Sequence, residues 1–106
     1  MIVTTTPTIE GKQIYQYLGV VCGLDDYIIG GLIGEGLLKA DELFHNCYKR
    51  AEEKMMKKAA DLGADAVVGV HFTALDMDTP SKRMYLTLMG TAVKAVDDAL
   101  DELPEL

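Results

Sequence analysis

Soft and borderline metal ions take thiolate and imidazole as ligands, and this chain offers four such side chains: Cys22, Cys47, His45 and His71. His45-Asn46-Cys47 reads as an H-x-C pair. On a helix, however, residues two apart point about 200° from each other, so one helix cannot present both to one ion. Asp41 and His45, one turn apart, share a face, but two ligands alone bind weakly, and a solvated helix face accounts for them as well. Cys47 falls on an apolar stripe and reads as a small core residue. The candidate metal ligands are therefore Cys22 and His71, both on strands and able to approach each other within a sheet or across a subunit boundary. Packing or partial exposure is the alternative for each. In a ring, a ligand contributed once per subunit becomes a cluster near the axis, the one route by which so few donors build a good site. Any cofactor expected here is a transition-metal ion.

Other chemistries find less support. The only serine is Ser81, in a turn-rich stretch, and no spacing pairs a cysteine nucleophile with a histidine base. Asp25-Asp26 and Asp76 with Asp78 are carboxylate pairs in turn-like contexts, where aspartate is favoured for local hydrogen bonding. Gly30-Gly31-Leu32-Ile33-Gly34-Glu35-Gly36 precedes a helix as a phosphate cradle would. It lacks the G-x-G-x-x-G order and the P-loop lysine and hydroxyl, and it sets Glu35 where a phosphate would sit. The chain is not expected to be an enzyme.

The elements that must position these residues follow from periodicity. Residues 2–6 are β-branched and form a short strand ended by Pro7, and Glu10-Gly11-Lys12 is a turn. Residues 14–23 read as a second strand, with Ile14, Leu18, Val20 and Cys22 on one face and Tyr15, Tyr17 and Val21 on the other. The glycine-rich stretch reads as strand end and mobile loop. Over 37–62 the apolar residues Phe44, Cys47, Tyr48, Ala51, Met55, Ala59 and Leu62 recur every three or four positions, which predicts one helix roughly 39 Å long. Gly63 is placed to end it in the left-handed conformation. The period then becomes two: Ala66, Val68, Val70, Phe72 and Ala74 are expected to face the helix, with Val67, Gly69, His71, Thr73 and Leu75 facing away. A turn over 76–82 leads to a final strand over 84–96, interrupted at Gly90, so that the last two strands form a hairpin.

The fold class is therefore α+β, an antiparallel sheet packed by one long helix, in a single domain over 1–96 followed by an acidic tail at 97–106. One helix cannot cover strands that are apolar on both faces. The remainder is expected to pair with further copies of the chain. Composition agrees: 49% of the 106 residues are hydrophobic, which is high for a small soluble domain. The formal net charge of -7 argues against nucleic acid as a partner. Lys49, Arg50, Lys54, Lys57 and Lys58 are interleaved with Glu52, Glu53 and Asp61, as on a solvated helix face. No apolar run reaches the roughly 18 residues of a membrane span, no signal peptide is evident, and Cys22 and Cys47 form no C-x-x-C pair, so a cytoplasmic chain with reduced cysteines is expected.

Four segments also carry a resemblance. They are Thr4-Thr5-Thr6-Pro7 with Glu10-Gly11, Gly19-Val20-Val21-Cys22-Gly23, Leu62-Gly63-Ala64-Asp65-Ala66-Val67-Val68-Gly69-Val70, and Gly90-Thr91-Ala92-Val93-Lys94. In order and spacing, from about residue 2 to 95, they resemble the YbjQ-like family of small bacterial and archaeal proteins described as heavy-metal-binding. The resemblance implies a dodecin-like subunit assembled into a symmetric ring, a homopentamer. The chain departs from the family pattern in its shorter glycine-rich stretch, at Cys22, where a small residue such as threonine is common, and at His71 and Thr73, where acidic residues often stand. The leading expectation is a non-enzymatic homo-oligomer that binds a metal ion or small ligand between subunits. The alternative is a structural or protein-interaction module without metal, recruiting a partner through its acidic tail. An enzyme whose active site forms only between subunits is a third.

Overall fold

The computed structural model describes residues 1–28, 36–76 and 83–98. Five elements run in the order β1 (Ile2–Val3), β2 (Lys12–Ile28), α1 (Gly36–Asp61), β3 (Ala66–Asp76) and β4 (Arg83–Asp97). The class is α+β, one helix on one sheet, with strand order β1-β3-β4-β2. β3 and β4 pair antiparallel, as expected, and so do β2 and β4; β1 joins parallel to β3, which makes the sheet mixed. The glycine-rich stretch at 29–35, the connection at 77–82 and the tail beyond residue 98 lie outside the described residues.

The helix ends where its sequence says it should. Gly63 sits at φ 83, the Gly63 N–H donates to the Ala60 carbonyl at 2.9 Å and the Ala64 N–H to that of Ala59 at 3.0 Å. These two bonds are those of a Schellman motif, which satisfies carbonyls that the last turn would leave unpaired. Two residues later the Asp65 N–H donates to the Val93 carbonyl and the chain enters β3.

Helix and sheet meet in a core of Cys47, Ala51, Met55 and Ala59 from α1 against Val21, Val67, Val70, Leu86, Leu88 and Ala92 from the strands. Small residues on the helix let it approach closely, most of all at Gly23: a Cβ there would lie 1.9 Å from the Ala51 carbonyl oxygen. A second, smaller cluster of Ala66, Val68 and Val93 lies on the opposite sheet face, covered by Ile9 and Ile14.

Ala66 and Val68 were expected to face the helix, and Val67 to face away. The structure reverses all three. Gly69 adopts φ 62, and the β3–β4 register shifts between Val68 and His71, so that two residues of β3 stand opposite Gly90 alone. This is a bulge with a left-handed glycine at its first position, and the extra residue inverts the alternation on its N-terminal side. Beyond it Val70 and Phe72 face the helix as expected. Gly90 makes room for the bulge, since a Cβ there would lie within 2.8 Å of both Val67 and Val70 side chains. It does not interrupt β4, which runs through it unbroken.

β2 departs from its expectation in length and phase. It continues to Ile28, so Asp25 and Asp26 stand in a strand rather than a turn. Register shifts at Ile14/Gln16 and Tyr17/Gly19 break its alternation, and Leu18 packs on the helix side with Val21 rather than beside Cys22.

Candidate metal centre

The sheet face away from the helix is built by alternate residues of three strands whose register is unambiguous. Cys22 of β2 stands opposite Met89 of β4, and His71 of β3 stands opposite the same Met89 from the other side. Thiol, thioether and imidazole therefore form one cross-strand row. The two expected ligands are brought to one row of one face but not into contact, because a whole strand separates them, roughly 10 Å at the usual interstrand spacing. The row above is Leu24, Thr87 and Thr73, and the row below is Val20, Thr91 and Val68. Leu24, Thr73, Leu75, Tyr85 and Thr87 line a shallow groove of about 400 Å³ beside the row.

Each outer donor has a local partner. His71 Nδ1 lies 3.4 Å from the Gly69 carbonyl oxygen. A carbonyl only accepts, so the contact suits the tautomer with its proton on Nδ1, whose Nε2 is the nitrogen that would ligate a metal. Lys58 Nζ, reaching over the outer edge of β2 from the helix, lies 3.9 Å from Cys22 Sγ. That edge is closed by the same helix face. Lys54 Nζ donates to the Leu24 carbonyl at 3.0 Å and to Asp25 Oδ2 at 2.9 Å, while Arg50 donates to Asp25 Oδ1 and to the Asp26 carbonyl. The interleaved basic residues of α1 are thus not merely solvated, since three of them clamp the edge strand. Burial would raise the Asp25 pKa, but Lys54, the Asp26 N–H and Arg50 together hold the carboxyl below its ordinary value.

The other sequence candidates separate. Cys47 is fully buried in the core, where burial and the nearby Asp25 push its thiol pKa up. His45 and Asp41 are exposed on the helix. Both cysteines are free. Asp25 and Asp26 point to opposite faces of β2, Asp25 bound by Arg50 and Lys54 and Asp26 by Arg83, so they do not form an acid–base pair. Among the described residues, no three His, Cys, Asp or Glu side chains converge on one point. Spacing along the chain does not single out Met89 among the six methionines as a donor. Its place between Cys22 and His71 depends on pairing register, which no spacing along the chain reveals.

Comparison with known proteins adds a frame to this geometry. Residues 26–96 match the YbjQ family model, described as "putative heavy-metal-binding". The chain belongs to the YbjQ family. Among curated relatives, a UPF0145 protein of Anoxybacillus flavithermus is 42% identical, with 89% of this chain and 97% of the relative covered. A Geobacillus kaustophilus UPF0145 protein is 40% identical over the same shares. The crystal structure of a protein of unknown function from Pediococcus pentosaceus, assigned to the DUF74 family, superposes with a TM-score of 0.65 at 22% identity, covering 89% of this chain and 96% of that one. That likeness shows the fold alone. The family description calls for soft donors, and the chemistry of the Cys22, Met89 and His71 row fits it.

Proposed function

We propose that the chain is a non-enzymatic cytoplasmic protein that assembles into a homo-oligomeric ring, a pentamer, and binds a metal ion or small ligand on the open sheet face through Cys22 and His71. The observation that carries the assembly is the state of that face. Val20 and Leu24 are 69% and 52% exposed, and Ile28, Leu75 and Met89 are exposed beside them. Large apolar side chains gathered on one exposed face are the usual mark of an interaction surface. A second copy supplies the matching apolar surface at no cost in specificity, as most soluble homo-oligomers do.

The metal reading is supported by the family description and by the shared face of Cys22 and His71. A neighbouring copy laid over the row would add donors and exclude water. No helix of the described residues is long and apolar enough to cross a membrane, and the unpaired cysteines suit a reducing compartment.

Light scattering coupled to size exclusion tests the assembly: about five subunits is the expected mass, and a monomer at micromolar concentration overturns it. Metal content of untagged protein, compared with Cys22→Ser and His71→Ala variants, tests the ligands. The wild type is expected to carry metal and each variant to lose it. Sub-stoichiometric metal in all three would favour an interaction module instead.

A further inference from the structure

We propose that Cys22, Met89 and His71 form a site for a soft monovalent cation of the copper(I) or silver(I) class, with the Met89 thioether as its central ligand. This rests on the metal reading above and adds to it a third ligand and an ion class.

The register makes Met89 the one residue directly opposite both other donors. Side chains of directly paired residues on one sheet face start about 5 Å apart at Cβ, so adjacent donors can share an ion with little movement. Metal–sulfur and metal–nitrogen bonds of roughly 2–2.3 Å require donor atoms about 4 Å apart. The long, flexible methionine stem reaches over its own strand, and the imidazole can lean inward to meet an ion held above Met89. On the C-terminal side of the Gly69 bulge the alternation of β3 keeps Val70 and Phe72 on the helix side and His71 in this row.

The donor set selects the ion. A neutral thioether is a weak ligand for hard and borderline divalent ions but a good one for copper(I). Structural zinc asks for four protein ligands, and neither flanking row supplies another: Leu24, Thr87 and Thr73 lie above, and Val20, Thr91 and Val68 below. No carboxylate stands in either.

The test uses the untagged full chain without oxygen, with silver(I) as a redox-inert probe and copper(I) in competition with bicinchoninate. With methionine methyl groups carrying ¹³C, the chain gives signals from six methionines. One signal is expected to move and to saturate at one ion per chain, and to be the signal missing from Met89→Leu. Met89 is 39% exposed and the substitution conserves volume, so the variant is expected to fold. Its copper(I) affinity is expected to fall about tenfold or more. If the wild type binds copper(I) but the Met89 signal stays still and the leucine variant binds equally well, the third ligand is wrong and the metal reading stands. Zinc(II) bound in preference to copper(I) overturns the ion class. No binding of any of the three ions defeats the site and the metal reading together, while the light-scattering mass bears on assembly alone.

Discussion

At Gly23 a β-carbon would collide with the backbone of α1, and neither partner can rotate away from a backbone oxygen. Gly23→Ala is therefore expected to cost about 3 kcal/mol or more through displaced helix packing, read as a lower urea midpoint. Gly69→Ala meets no atom within 4 Å and carries only the strain of φ 62, about 1–2 kcal/mol. An equal loss at the two positions would contradict this account. Asp25 gives stability a pH dependence of definite sign. Its carboxyl is held below the ordinary 3.8 when folded, so its contribution is complete above that value and fades as pH falls below it, where the unfolded chain takes up the proton first. The stability gap between wild type and Asp25→Asn is expected to shrink from pH 7 to pH 3. A constant gap would show that the Lys54 and Arg50 contacts add nothing. The two thiols should also differ: iodoacetamide is expected to label Cys22 on the open face while Cys47, fully buried, reacts only after denaturation. Mass spectrometry of partially labelled protein decides this.

Among the elements, β2 and β3 carry the consequences of irregularity. The helix was legible because its apolar period is long and its end is marked by a glycine, and the structure places it over Gly36–Asp61. It protects the outer edge of β2 through Arg50 and Lys54, which occupy the Asp26 and Leu24 carbonyls that would otherwise invite another strand. At its other end Phe44 and Tyr48 meet Phe72 edge-on, at centroid distances of 5.9 and 6.0 Å. Within the core, Met55 is the largest fully buried side chain, and Met55→Ala is expected to cost about 2–5 kcal/mol in denaturant unfolding. The strand faces were less legible. Ala66, Val67 and Val68 are all apolar, so composition could not tell which of them met the helix, and the bulge at Gly69 chose Val67. The same kind of irregularity moved Leu18 in β2.

For the whole molecule, shape is the dominant fact. β2 has 17 residues and spans about 56 Å, while the 26-residue helix spans about 39 Å and lies on one face only. Among the described residues, Ile9 and Ile14 cover its other face at one end and the rest of that face carries no second layer. A charge placed at the middle of that face should oppose association without harming the fold. Leu24→Asp is expected to lower the light-scattering mass to that of a monomer while circular dichroism stays unchanged; an intact oligomer would move the interface elsewhere.

What the amino-acid sequence determined by itself is local: the helix and its glycine stop, the strand that follows, the burial of Cys47 and the outward turn of His71. Each depends on periodicity or on a single residue's backbone preference, which neighbours along the chain express directly. The tertiary structure alone decided that Asp25 and Asp26 face different cations, that Val67 rather than Val68 joins the helix core, and that Met89 lies between Cys22 and His71. These are matters of register. One inserted residue leaves the composition of a strand unchanged yet inverts its faces, and only hydrogen bonding to the partner strand specifies where the insertion falls.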